Sequence, residues 1–171
     1  MLHESHEGVP GKTICFVSIP TEQARALQRG GLDANGQVPE RKISDGDGIP
    51  CRHCLRMVPK GQPYLVLAYR PFTTVQPYAE VGPIFLCGSE CASGSVADVL
   101  PEFLVSEAYI VRGYDIEERI VYGTGRVTPT LEIISYCDDL FARPEVAFVH
   151  VRSASNNCFH VRVERAEPSG Q

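Results

Sequence analysis

The residues best suited to a defined chemistry are four cysteines in two close pairs. Cys51 and Cys54 stand in Pro50-Cys51-Arg52-His53-Cys54-Leu55, and Cys87 and Cys91 in Phe85-Leu86-Cys87-Gly88-Ser89-Glu90-Cys91. The pattern is C-x2-C, a 32-residue gap, then C-x3-C. Thiolates a short turn apart can hold one side of a tetrahedral ion while a second pair closes the other, so the pattern predicts a structural zinc site. Four thiolates would saturate the ion and leave no position for a catalytic water. Ligand type alone does not separate zinc from iron. Three other readings stay open: a site that takes His53 in place of one cysteine, a redox dithiol at Cys51 and Cys54, and thiols with no joint role. The redox reading lacks the helix that C-x-x-C redox motifs usually open, because Pro59-Lys60-Gly61 follows closely.

A second constellation is polar. Arg112-Gly113-Tyr114-Asp115 ends one expected strand, and His150, Arg152, Cys158, His160 and Arg162 alternate along an expected terminal hairpin. A five-residue turn over 153–157 would set His150 opposite His160 and Arg152 opposite Cys158. Arg112, Tyr114, Asp115, His150, Arg152 and His160 would then line a pocket where arginines hold an anion and a histidine moves a proton. The plainer alternative is the solvated outer face of an antiparallel sheet. The proline-broken stretch 70–85, with Phe72, Tyr78 and Glu80, is a loop of the kind that carries function. Cys15 and Cys137 lie on apolar patterns and read as core thiols. Asp45-Gly46-Asp47-Gly48 reads as turn chemistry, because Arg56 stands where a calcium loop needs its bidentate glutamate.

The elements that must position these groups follow from periodicity and punctuation. Residues 13–19 read as a strand, and 22–29 as a short helix with Thr21 as N-cap. Residues 64–69 form an apolar central strand, and 83–86 a short strand into Cys87. Ser89 and Glu90 suit a helix start with Cys91 in its first turn, and a small helix from about Ser95 would stop at Pro101. Strands are expected over 108–114 and 119–122. Thr128-Pro129 opens a helix whose apolar face runs through Leu131, Ile134, Leu140 and Phe141, and Pro144 ends it. The hairpin of 146–152 and 158–165 closes the chain. Residues 1–12 read as a flexible tail, 13–165 as one domain and 166–171 as a disordered end.

A chain of 171 residues with 43% hydrophobic residues is long enough for one real core. A net charge of −5 argues against general nucleic-acid binding. The polar start has no signal-peptide core and no apolar run reaches membrane length, so the expected location is cytoplasmic, where cysteines serve as thiols or ligands.

Five segments carry a family likeness: Pro50-Cys51-Arg52, Pro77-Tyr78-Ala79-Glu80, Gly82-Pro83-Ile84-Phe85, Arg112-Gly113-Tyr114-Asp115, and Phe148-Val149-His150-Val151-Arg152 with Cys158-Phe159. In this order and spacing, over roughly residues 13–165, the chain resembles the bacterial domain-of-unknown-function family 1203. The resemblance implies a single α+β domain and no assigned activity. The family pattern can place a histidine near the position of Cys87 and does not always keep the second knuckle cysteine. That implies metal binding in a subset, with the region of Arg112, Tyr114 and His150 as the common site. The expected architecture is α+β, a mixed, mostly antiparallel sheet with two or three short helices and a treble-clef-like cysteine-rich excursion. The expected function is a binding or interaction module stapled by zinc at Cys51, Cys54, Cys87 and Cys91, with a small anionic ligand or a protein as partner. A small enzyme acting on an anionic molecule is the first alternative, and a thiol redox protein the second.

Overall fold

The computed structural model describes residues 13–166. The expected tail over 1–12 and nearly all of the expected disordered end lie outside them. Strands β1 (Ile14–Val17), β5 (Val96–Ala97), β6 (Ala108–Tyr114), β7 (Arg126–Pro129), β8 (Phe148–Ser153) and β9 (Phe159–Arg165) form one sheet in the order β5-β1-β9-β8-β6-β7. Strands β2 (Glu40–Ile43), β3 (Pro63–Tyr69) and β4 (Gly82–Cys87) form a second. Every strand pair is antiparallel. Helix α1 (Thr21–Gln28) follows β1, and α2 (Ile133–Phe141) follows a 3-10 turn over Thr130–Glu132. The architecture is thus α+β and sheet-rich, with two sheets where a single one was expected.

Alternation decides which face of the large sheet meets α2. Val149, Val151, Val161, Val163, Val111 and Tyr109 pack with Ile14 and Phe16 against Ile133, Cys137 and Leu140 of the helix. The helix face differs from the expected one, since Leu131 is 92% exposed in the 3-10 turn. Thr128 and Pro129, expected to open the helix, are instead held in β7 by pairing with Tyr109 and Ala108, so α2 begins only at Ile133. A smaller core joins Ala24 and Leu27 of α1 to Leu65, Leu67, Ile84 and Leu86 of the small sheet, with Cys51 and Phe159 at its edge.

Three expected elements differ. Residues 88–95 form no helix, so the cysteine excursion lacks the helix that would complete a treble clef. The expected helix from Ser95 is instead the two-residue strand β5, held at the sheet edge because the Asp98 carboxylate accepts bonds from the amides of Thr13 and Ile14. Residues 119–122 supply only a single bridge, Tyr114 with Ile120, and the real partner of β6 is β7. Thr21 lies inside α1 rather than capping it, with Pro20 at the cap position and no side chain capping the helix. The Asp45 turn is as expected, its carboxylate accepting from the Asp47 amide at 2.8 Å.

The knuckle over 49–58 fastens the two sheets. Arg52, 3% exposed, donates from Nε to the Phe159 carbonyl at 2.9 Å and from Nη1 to the Pro50 carbonyl at 2.7 Å. Burial pulls its pKa down to about 10, so it still carries its charge at neutral pH. Replacing Arg52 by Leu leaves two buried carbonyls without donors. The expected loss is about 2 kcal/mol of unfolding free energy, read as a lower urea midpoint at unchanged slope. An unaltered midpoint would remove Arg52 from the seam.

Candidate metal centre and the buried polar cluster

The knuckle and the loop after β4 bring the four cysteines together. The ligand atoms of Cys51, Cys54, Cys87 and Cys91 all lie within 4.8 Å of one another. The short contacts run between the pairs: Cys51 Sγ to Cys91 Sγ at 3.9 Å and Cys54 Sγ to Cys87 Sγ at 3.8 Å. A tetrahedral site with metal–sulfur bonds of about 2.3 Å has sulfur–sulfur edges of about 3.8 Å, so the quartet could hold a metal ion.

Local backbone explains the convergence. Leu55 stands where a knuckle usually has glycine, and it adopts the left-handed conformation, φ 59°, that glycine favours. Its side chain, 2% exposed, is anchored in the core of the large sheet, which offsets a strain of about 1 kcal/mol. Gly94 lets the second loop close over the first. A Cβ there would lie 1.9 Å from the Cys54 carbonyl oxygen, and the Gly94 amide donates to the His53 carbonyl at 2.9 Å.

A ring of donors surrounds the sulfurs. The amides of Cys87 and His53 point at Cys51 Sγ at 3.2 and 3.5 Å. His53 is fully buried, with Nδ1 3.2 Å from Cys91 Sγ and Nε2 2.9 Å from Thr21 Oγ1. It thus sits against the quartet as a ring that orients the Cys91 side chain. Thr21, read from sequence as a helix cap, is diverted to this ring. Hydrogen bonds from Cys54, then from Cys87 and Cys91, hold the Cys51 thiol far below its usual range. The Cys87 thiol is pushed far up, first by its bond to Cys51. Four thiols this close resist ionising together unless a cation offsets their charge.

The polar cluster is covered, which removes the solvated-face reading. His150 is 0% exposed and Arg152 2%. The structure joins Arg112, Tyr114, His150 and Arg152. Arg112 Nε donates to the Tyr114 hydroxyl at 2.9 Å, and Arg152 Nη2 lies 3.0 Å from His150 Nδ1. Glu80, not foreseen as a site residue, binds both arginines through Oε1, at 2.8 Å to Arg152 and 3.3 Å to Arg112. The sequence signals for it were its place in the proline-broken loop and in the family segment Pro77-Tyr78-Ala79-Glu80. Asp115 does not join the cluster; its carboxylate accepts from the amides of Glu117 and Arg119 at 2.9 and 3.1 Å.

His160 also stands apart, and the cause is a β-bulge. Val151 pairs with Val161 but Arg152 pairs with Phe159, so β9 carries one extra residue there. The turn also closes one residue tighter than expected, with the Ser153 amide on the Cys158 carbonyl at 2.9 Å, so Arg152 faces Phe159 rather than Cys158; the bulge adds a second step, and His150 faces Arg162 rather than His160. His150 sits among Tyr114, Phe148, Phe72 and Phe159 with ring centroids at 4.6–5.3 Å. His160 packs instead on Phe103 and Tyr109, at 5.6 and 5.2 Å, on the side of the helix-facing core. Cys137 is buried as expected, whereas Cys15 is half-buried.

Fold and site together define a sheet-rich α+β protein with a four-cysteine site able to hold a metal ion and a separate buried polar cluster. The chain belongs to the family described as Protein of unknown function (DUF1203), whose model matches residues 48–165. That stretch contains both cysteine pairs, Glu80 and the polar strands. No curated protein and no solved structure matches the chain. No helix among the described residues is long and apolar enough to cross a membrane.

Glu80 and the buried histidines each give a prediction. Glu80→Ala leaves the nearly fully buried Arg152 without its carboxylate. Because Glu80 is itself 42% exposed, the expected loss is about 1–3 kcal/mol rather than the full value of a buried pair; a variant melting with the parent would show that the pair contributes nothing. For pH, burial pulls His160 down to about 4 and His150 well below its usual value, so the unfolded chain binds those protons first. Stability is then complete above about pH 6.5 and lost as pH falls toward 4, with His160 responsible for about 3 kcal/mol. The slope of melting temperature between pH 7 and 4.5 should flatten in His160→Gln, and an equal slope in both proteins would contradict the assignment.

Proposed function

We propose that the chain is a ligand-binding module whose two sheets are locked together by a structural zinc ion at Cys51, Cys54, Cys87 and Cys91. The observation that carries this reading is the sulfur geometry, 3.8 and 3.9 Å between the pairs, which fits the edge of a zinc tetrathiolate. The amide donors and His53 around the sulfurs suit thiolates held by a cation. All four positions would be protein ligands, so the ion would supply cohesion and no chemistry. The redox reading has less support: residues 51–56 form a turn and not a helix start, and Cys51 and Cys54 each lie within 3.9 Å of a sulfur of the other pair.

The part of the molecule left for recognition is the buried layer of Arg112, Tyr114, His150 and Arg152. In it Glu80 bridges the two arginines and offsets one of their two charges, which favours binding over catalysis by them.

Metal content by mass spectrometry, on protein purified without a metal-binding tag, tests the staple. One zinc per chain is expected in the parent and none in the Cys54→Ser, Cys87→Ser double variant. The variant should melt lower by roughly 6–12 °C, equivalent to about 3 kcal/mol for a domain of this size. Parent protein without metal would sink the reading, and iron in the same stoichiometry would change the ion but keep the staple.

A further inference from the structure

Between the small sheet, α1 and the large sheet lies a cleft of about 530 Å³, a size that suits a small metabolite. Its wall includes Pro20 and Gln23 at the start of α1, the segment Tyr69 to Thr73, and His150, Phe159 and Arg162 of the large sheet. Three observations there point to a ligand. First, His150 has a buried nitrogen without a partner. Its Nδ1 lies 3.0 Å from Arg152 Nη2, and a guanidinium can only donate, so Nδ1 accepts and Nε2 carries the proton of the neutral ring. That Nε2–H is buried without a hydrogen-bond partner, and His150 is one of the residues that line the cleft. Second, Arg70 Nε is also buried without a partner, and among the described residues Arg70 has no ion pair. Third, α1 opens at the cleft with no side-chain cap, its Thr21 hydroxyl being engaged by His53, so the positive end of an eight-residue helix faces the same space.

The acidic residues of the cleft are already occupied. The Glu118 carboxylate accepts from the amides and hydroxyls of Thr73 and Thr74 at 2.7–3.1 Å, and Glu164 pairs with Arg162 at 2.7 Å. Glu118 thereby fixes the loop that carries Arg70 and Phe72. Unsatisfied donors with no free acceptor opposite them call for an anion. The remaining wall is aromatic and apolar, with Tyr69, Pro71, Phe72 and Phe159.

From this placement we infer that the cleft binds a small organic anion. Its carboxylate or phosphate sits on the His150 Nε2–H and Arg70, toward the start of α1, and its apolar or planar body lies against Tyr69, Phe72 and Phe159. The site shares His150 with the polar cluster but not its two arginines, which already hold the Glu80 carboxylate. It rests on the binding-module reading and names the class of ligand, but it does not depend on the zinc ion.

The test is a titration of the full chain, as purified, with phenyl phosphate, benzoate and uncharged benzyl alcohol at constant ionic strength. The readout is the side-chain 15N–1H correlation of His150. One or both anions should shift the Nε2 signal and saturate it, while benzyl alcohol leaves it in place. Response to phenyl phosphate alone assigns a phosphate ligand, and response to benzoate alone a carboxylate. Arg70→Gln, at a position with no ion pair to lose, should weaken the responding anion about tenfold or more. The inference is overturned if neither anion moves the signal up to about 10 mM. It is equally overturned if benzyl alcohol binds as well as the anions, or if Arg70→Gln binds like the parent. Zinc is measured on the same sample: a silent titration with zinc present removes the cleft and leaves the staple, and binding without zinc does the reverse.

Discussion

The structure turns on a seam of buried cations between two sheets. Arg52 and Arg152 are each almost fully removed from water, and a buried charge is tolerated only where acceptors surround it. Arg52 takes backbone carbonyls of its own knuckle and of β9. Arg152 takes the Glu80 carboxylate, the Asn157 carbonyl and the His150 ring. Apart from His150, which lies within β8, these acceptors come from loops or strand ends at the junction. Meeting these acceptors therefore fixes the knuckle, the loop before β4 and the terminal hairpin relative to one another, although Arg152 Nε keeps no partner.

The cysteine quartet uses the same junction. Cys51 is buried beside the start of β4, bridging to Phe85, and Leu55 sends its side chain into the core of the large sheet. The loop that supplies Cys91 packs its Gly94 against the carbonyls of the knuckle. A metal ion there would clamp three segments that already meet, adding a covalent-strength tie to hydrogen bonds worth about 1 kcal/mol each. Elsewhere, the His150 imidazole and the Arg70 guanidinium each keep a buried donor without a partner in the wall of a cleft. Such a surplus of donors in a dry layer gives selectivity for an anion that fits, because any other occupant leaves them unpaired.

Much of this was legible in the residues. The C-x2-C and C-x3-C pairs announce a shared site because thiolates at those spacings have few other reasons to be together. Alternation over 108–114 and in the terminal hairpin located the central strands, and the order of short segments such as Gly82-Pro83-Ile84-Phe85 carried the family. Local rules failed where a tertiary contact overrode them. Thr21 was diverted from capping to His53, Asp98 drew residues 96–97 onto β1, and Gly94 packs flush on the knuckle where a helix had been expected.

The chain by itself determined which groups are available: four soft ligands, a belt of arginines and histidines, and strands of fixed period. Tertiary structure alone decided which of them meet. One extra residue in β9 sends His160 to the helix side and leaves His150 among aromatic rings, because a single-residue slip reverses the face of a side chain. No local signal in Ser153-Ala154-Ser155-Asn156-Asn157-Cys158 announces that bulge. Glu80 likewise acquires its role only when a loop more than 70 residues away in sequence closes over Arg152. Pairing across such distances depends on how two sheets pack, a property of the whole fold that no window of sequence contains.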